Sequence, residues 1–112
     1  MGSLAAGSVV LVRFPFSDLS QSKLRPAIVL ADSRRGDWLL CQITSKSYGD
    51  ALAIEITDAS FRSGSLRITS YVRPAKLFTG HQSLIASEIG VLRQEAVKPI
   101  TDTIIQLLQG RD

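Results

Sequence analysis

The chain consists mainly of short runs of β-branched and aromatic residues, and only its final segment has a helical repeat. Runs of this kind, bounded by Gly, Pro, Asp and Ser, are typical of strands joined by turns. A chain divided in this way must bury its apolar faces by packing strands against one another. The predicted strands cover residues 8–14, 26–32, 38–43, 52–56, 66–69 with 71–73, and 89–92.

Near the end of the chain, apolar side chains recur at steps of three and four residues, which predicts a single amphipathic helix. Its apolar stripe consists of Val97, Ile100, Ile104, Leu107 and Leu108. We expect the helix to begin between residues 94 and 98, with Pro99 in its first turn or at a kink, and to stop at Gly110. Several short strands with one C-terminal helix favour a mainly β fold, a small barrel.

Length and composition indicate one globular domain over residues 1–112. With 112 residues, of which 45% are hydrophobic, the chain can bury one core and has no room for a second domain. We exclude residues 1–6 from the fold as an extension expected to be disordered or left over from expression. Pro74 should bend its strand or place it at a sheet edge, because proline donates no backbone hydrogen bond.

Residue usage excludes several kinds of chemistry. Cys41, the one cysteine, lies in an apolar strand and is predicted to be a buried hydrophobe. With one histidine, His81, the sequence offers neither a zinc site nor the histidine pair of an acid–base ribonuclease, so we expect no metal and no cofactor. No run approaches the roughly 20 apolar residues of a membrane helix, and we expect a cytoplasmic protein. The net charge of +3 is scattered along the chain and points only weakly to an anionic partner.

Arg25 lies where a polar stretch, residues 16–24, meets an apolar strand. Pro26 disfavours the α region at Arg25, so the backbone there should be extended. A guanidinium beside a buried strand needs a negative partner. That partner is either a nearby carboxylate such as Asp18 or Asp32, which the local sequence alone favours, or the phosphate of a ligand.

Hydroxyl and cationic side chains near other strand ends are further candidates. Thr44 and Ser45 end the third strand and Lys46 follows them. These side chains serve either the turn itself or a bound phosphate. Ser65, at a strand start, and Arg73, before a proline, are open to the same two interpretations. Phe16, at the hinge of the polar stretch, could stack on a base.

Four segments stand in an informative order and spacing. They are residues 7–12 with 14–16, residues 23–30, residues 42–45, and residues 70–79 leading to 89–92. Together they resemble the PemK/MazF family of toxins from bacterial toxin–antitoxin pairs, over nearly the whole chain. Ser8 departs from the family, which usually has Asp at that position.

This resemblance implies an SH3-like barrel that forms a homodimer and cleaves single-stranded RNA without a metal. It also implies inhibition by a small antitoxin whose acidic tail occupies the RNA groove. Arg25 matches the family's catalytic arginine and Thr44 its catalytic threonine, and Ser65 falls near a hydroxyl position of the same site. The residues expected to bind substrate are Phe16, Lys23, Ser45, Lys46, Ser65 and Arg73.

In RNA the 2′-hydroxyl lies beside the scissile phosphate, so the substrate supplies its own nucleophile. The protein must align this attack and stabilise the charge of the transition state, and the product would be a 2′,3′-cyclic phosphate. The alternatives are a non-catalytic toxin of the same fold, such as the gyrase inhibitor CcdB, or a barrel that binds RNA or protein and has lost catalysis. CcdB needs an aromatic C-terminal end, which residues 109–112 do not provide.

Overall fold

The structure, a computed structural model, describes residues 4–15, 22–47 and 49–110. Over these residues it contains seven strands, one α-helix and two short 3₁₀ turns, at Asp58–Ser60 and Gln82–Leu84. The prediction of a mainly β fold with a C-terminal helix is therefore confirmed. The strands are β1 (Ser8–Pro15), β2 (Ser22–Arg34), β3 (Asp37–Thr44), β4 (Ile54–Ile56), β5 (Phe61–Gly64), β6 (Ser70–His81) and β7 (Ile85–Leu92), and the helix is α1 (Gln94–Leu108).

All seven strands belong to one antiparallel sheet, in the order β4-β6-β3-β2-β1-β7-β5, and the sheet curls into a half-barrel. The β1–β2 pairing places Val12 opposite Arg25. The β2–β3 pairing places Ala27 opposite Gln42. The strand that contains Arg25 thus lies at the centre of the sheet, with a neighbour on each side.

The alternation of side chains along β2 divides the core between the two faces of the sheet. Ile28 packs with Cys41 and with Ile100 and Ile104 of α1 in one cluster, whereas its neighbour Ala27 belongs to a second cluster. The second cluster also contains Val10, Val12, Val29 and Leu40. Because β2 is buried on both faces over this stretch, its sequence is an uninterrupted apolar run, as expected for a central strand.

The helix begins at Gln94, within the predicted window, and ends at Leu108. Its buried side chains are Ile100 and Ile104, at the four-residue spacing of the predicted stripe, while Leu108 is exposed. Pro99 lies inside the helix. In the described part of the chain, no helix combines the length and the apolar character that a membrane span requires.

Pro74 lies at an irregular point of the sheet, as the sequence predicts, whereas another strand prediction is wrong. β6 continues through Pro74, which is buried, but β4 pairs with β6 only as far as Val72. The β3–β6 register shifts between Cys41 and Ile43, so the proline occupies an irregularity in which no ladder hydrogen bond is required of it. The predicted strand over residues 66–69 does not form, and Arg67 has φ +64, which an extended strand does not allow.

One strand that the sequence does not predict, β5, depends on a glycine contact. Gly64 has φ +71, and a Cβ at this position would overlap the carbonyl oxygen of Ile89. Only glycine therefore allows β5 to approach β7 this closely. The contact fixes where the chain leaves the sheet, and so where residues 65–70 begin. Of residues 1–6, which the sequence excludes from the fold, Leu4 packs partly buried against the second core cluster.

Candidate active site

Arg25 and Thr44 lie at neighbouring strand ends. The β2–β3 register pairs Ala27 with Gln42 and Ile28 with Cys41. Arg25 precedes the first of these pairs by two residues on β2, and Thr44 ends β3 two residues after Gln42. Both residues line one cleft, so an arginine and a threonine that are far apart in the sequence come together there.

The Thr44 side chain has a defined hydrogen-bonding role. It is only 8% exposed, and its Oγ1 accepts a hydrogen bond from the backbone N–H of Lys46 at 3.3 Å. A hydroxyl that accepts one hydrogen bond still has its own proton to donate. The Lys46 N–H fixes the oxygen in position, so that the donated hydrogen can be directed at a group in front of the strand ends.

A cleft of about 190 Å³ opens at these strand ends; we call it the main cleft. It brings together four of the residues singled out from the sequence: Arg25, Thr44, Ser45 and Lys46. Arg25 and Lys46 are the charged residues among those described as lining it, so its electrostatic character favours an anion. Its lining consists of Leu24, Arg25, Pro26, Ile43, Thr44, Ser45, Lys46, Leu66, Ile68 and Ser70.

Arg73 and Ser65 form hydrogen bonds with residues that are not part of the lining of the main cleft. The Nε of Arg73 donates to Oδ2 of Asp50 at 3.0 Å. The pKa of Asp50 is lowered, first by the hydrogen bond from the Leu52 N–H and then by Arg73. Ser65 donates its hydroxyl to Asp58. Neither of these two predicted substrate-binding residues is among those described as lining the main cleft.

The other two predicted substrate-binding residues precede Arg25. Lys23 is exposed on β2, two residues before Arg25 and therefore on the same face of the strand. Phe16 lies outside the described residues.

Leu66, Ile68 and Ser70 line the main cleft although the sequence does not single them out. Ser70 is 2% exposed and donates its hydroxyl to the carbonyl oxygen of Ile68. This bond lies at the end of residues 66–70, of which Leu66 and Ile68 line the same cleft as Arg25. The signal that could have indicated this is the Ser63-Gly64-Ser65 sequence, which favours a change of direction before residue 66.

Cys41 takes no part in the site. It is fully buried, and its Sγ donates to the carbonyl oxygen of Arg73 at 3.0 Å. Burial raises the pKa of the thiol to about 12, so it is not a thiolate nucleophile at neutral pH. Its prediction as a buried hydrophobe is confirmed. Across the described residues, no three His, Cys, Asp or Glu side chains are grouped so that they could hold a metal ion.

The sequence matches a known protein family over nearly its whole length. A family model described as PemK-like, MazF-like toxin of type II toxin–antitoxin system matches residues 5–108. None of the curated proteins compared with the sequence matches it.

Several solved structures share the fold at low sequence identity. A MazE–MazF crystal structure from Deinococcus radiodurans aligns with a TM-score of 0.74 and 18% identity, over 93% of this chain and 94% of that one. The toxin MazF-mt6 of Mycobacterium tuberculosis aligns with a TM-score of 0.71 and 18% identity, over 94% and 98%. A mycobacterial endoribonuclease in complex with its cognate antitoxin aligns with a TM-score of 0.72 and 11% identity, over 100% and 98%.

Proposed function

This chain belongs to the family of PemK-like, MazF-like toxins of type II toxin–antitoxin systems, and we propose that it is an endoribonuclease that cleaves single-stranded RNA without a metal ion. The observation that supports this proposal is that Arg25 and Thr44 line the same cleft. That cleft has a cationic lining and holds a hydroxyl that can donate a hydrogen bond. Binding and cleavage of a phosphodiester require both the positive charge and the hydrogen-bond donor.

In the proposed reaction the RNA supplies its own nucleophile. The 2′-oxygen forms a bond to phosphorus while the bond from phosphorus to the 5′-oxygen of the next nucleotide breaks. The 2′-hydroxyl loses a proton and the departing 5′-oxygen gains one. The products are a 2′,3′-cyclic phosphate and a 5′-hydroxyl, and no water is consumed. The protein has to hold the two oxygens in line with phosphorus and stabilise the added negative charge.

Arg25 and Thr44 divide this work. The guanidinium of Arg25 offers a planar fork of donors that fits two phosphate oxygens and stays charged at any physiological pH. Thr44 donates its hydroxyl hydrogen to a phosphate oxygen or orients the 2′-hydroxyl, with its own oxygen fixed by the Lys46 N–H. The exposed Lys46 and Lys23 side chains add positive charge along the path of the RNA backbone.

The partners in this proposal are single-stranded RNA and a cognate antitoxin. The structural relatives include a MazE–MazF complex and a mycobacterial endoribonuclease in complex with its cognate antitoxin. By analogy, we expect an antitoxin whose acidic tail binds over the cationic main cleft and excludes RNA. A homodimeric toxin acting in the cytoplasm completes the proposal.

The deciding experiment incubates the purified protein with a defined single-stranded RNA in EDTA and identifies the new ends by mass spectrometry. Cleavage that yields a 2′,3′-cyclic phosphate is the expected result. RNA that binds but stays intact would favour a non-catalytic barrel. Gyrase inhibition without RNA cleavage would favour the CcdB-like alternative.

A further inference from the structure

Residues 66–70, which we call the wall segment, separate the main cleft from a second cleft. Leu66, Ile68 and Ser70 line the main cleft, and Ile68 lines both. Ile68 is 61% exposed and lines both clefts, so an apolar side chain forms the rim between them. The second cleft, of about 290 Å³, is lined by Thr57, Asp58, Ala59, Arg67, Ile68 and Thr69.

A hydrogen-bonded relay holds the wall segment in place. Arg67 has φ +64, and its backbone N–H donates to Oγ of Ser65 at 2.7 Å. The Ser65 hydroxyl in turn donates to Oδ1 of Asp58. Ser65 therefore links the two charged residues of the second cleft through its own oxygen. This gives Ser65 a positioning role beside the main cleft, rather than a place in its lining.

The two charged residues of the second cleft do not neutralise each other. Asp58 and Arg67 both line the cleft and both are exposed, yet within the described residues they form no salt bridge with each other. Oδ1 of Asp58 already accepts a hydrogen bond from Ser65, so Oδ2 is the oxygen that can accept a hydrogen bond from a ligand. The guanidinium of Arg67 offers donors. The lining of the cleft thus combines a hydrogen-bond acceptor and a set of hydrogen-bond donors.

We infer that the second cleft binds the base of a nucleotide adjoining the scissile phosphate and selects bases with an exocyclic amino group over uracil. This inference rests on the proposed endoribonuclease function. A carboxylate only accepts hydrogen bonds, so it pairs with an amino group such as cytosine N4. Uracil presents a carbonyl oxygen at the same place, and two acceptors repel each other.

The remaining contacts follow from the geometry of the rim. An RNA strand that crosses Ile68 has one phosphate in front of Arg25 and the adjoining base beyond the rim. Ile68 then packs against the ribose or base as it passes, and Arg67 donates to the phosphate of the bound nucleotide. Sequence-specific recognition of single-stranded RNA commonly uses splayed bases of this kind.

The test compares the wild-type protein with Asp58→Asn on a randomised single-stranded RNA pool, with the cleaved ends sequenced. We expect the wild type to favour amino-bearing bases over uracil at one position next to the cleaved bond, by about fivefold or more. Asp58→Asn should lose that preference at that position alone, because an amide both donates and accepts. Asp102→Asn, a matched change at an exposed aspartate on α1, should leave the profile unchanged. An unchanged profile for Asp58→Asn overturns the inference.

Two further variants test the relay and the donor side. Arg67→Ala should raise KM severalfold, while Arg62→Ala, which removes an exposed arginine of β5, should not. Ser65→Ala should weaken the base preference and Ser65→Thr should restore it, since threonine keeps the hydroxyl. A base preference that is the same in Ser65→Ala as in the wild type contradicts the positioning role.

A binding measurement separates failure of this inference from failure of the proposed function. Single-stranded 2′-O-methyl RNA cannot cleave itself, so its binding is independent of catalysis. Fluorescence anisotropy should show the wild type binding a cytosine-containing oligonucleotide more tightly than its uracil counterpart, and Asp58→Asn binding both equally. If the wild type does not cleave RNA but shows this difference, only the endoribonuclease proposal fails. Equal wild-type affinity for the two oligonucleotides overturns the second-cleft assignment.

Discussion

The β2–β3 hairpin has arginines at both ends, and the two ends have different surroundings. At one end Arg25 shares a cleft with Thr44, and the charged residues described as lining that cleft are cations. At the other, nine residues or about 30 Å further along β2, Arg34 is exposed at the turn and pairs in register with Asp37. Asp32 accepts from the Arg34 N–H at 2.8 Å. The side chains beside an arginine decide whether it is a candidate for phosphate binding. A position on a β-strand is not sufficient by itself.

The largest expected effect compares the two ends directly. Arg25→Ala should lower the RNA cleavage rate by about 10³-fold, since it removes a forked donor and a full charge from the transition state. Arg34→Ala removes the same charge from the hairpin turn and should leave the rate unchanged. Single-turnover cleavage of one defined RNA measures both, and circular dichroism checks that both variants fold. Equal cleavage rates for the two variants would contradict the difference between the two hairpin ends. They would also contradict the catalytic assignment of Arg25.

The next prediction separates the hydroxyl from the charge within the main cleft. Thr44→Val keeps the shape of the side chain and removes the donor, and it should lower the cleavage rate by about 10²-fold. The matched variant Thr79→Val, at an exposed position of β6, should not change it. RNA affinity of Thr44→Val should stay within about threefold of the wild type, because Arg25 and Lys46 keep the charge. A rate loss explained wholly by weaker binding would contradict a role in the transition state.

Much of the fold and the centre of the site follow from local sequence. The β-branched runs around Ile28 predict strands because their side chains fit a sheet buried on both faces. Pro26 predicts extended backbone at Arg25, and β2 contains it. The surroundings of Arg73 could not be predicted in this way, because Asp50 lies 23 residues away and meets it only through tertiary packing.

The wall segment is a second region whose structure could not be predicted from the local sequence. Its alternation of apolar and charged residues around Arg67 predicts a half-buried strand. The structure instead places Arg67 at φ +64. Two tertiary features override the local pattern: the close approach of Gly64 to Ile89, and the hydrogen bond that Ser65 donates to Asp58. Neither feature leaves a periodic signal in the sequence.

A third prediction tests how far the stability of the protein depends on the close approach of Gly64 to Ile89. Gly64→Ala should destabilise the protein by more than about 2 kcal/mol, since its Cβ would overlap the Ile89 carbonyl oxygen and its φ is +71. Gly110 has nearly the same φ, +72, but a Cβ added there would meet no atom within 4 Å. Gly110→Ala should therefore cost less, about 1–2 kcal/mol. Urea unfolding of both variants measures the difference, and equal losses would show that the β5–β7 contact contributes little.

The smallest expected effect concerns Arg73, which resembles the hairpin-turn arginine in having a carboxylate beside it. Hydrogen bonds from the Leu52 N–H and from Arg73 hold the pKa of Asp50 below its ordinary value of 3.8. A lowered carboxyl pKa in the folded state stabilises the protein fully above the ordinary value, and this contribution disappears as pH falls through the folded-state pKa. Asp50→Asn should therefore cost at most about 1 kcal/mol at neutral pH and progressively less as the pH falls below 3.8.

The same variant decides which kind of arginine Arg73 is. If Arg73 is held by its carboxylate as a structural group, Asp50→Asn should change the free energy of unfolding and leave the affinity for 2′-O-methyl RNA unchanged. If Arg73 binds RNA, as the sequence predicts, removing the competing carboxylate should tighten RNA binding severalfold, with a steeper salt dependence. Titration of Asp50→Asn with 2′-O-methyl RNA at two salt concentrations therefore adds a third arginine, Arg73, to the comparison between Arg25 and Arg34.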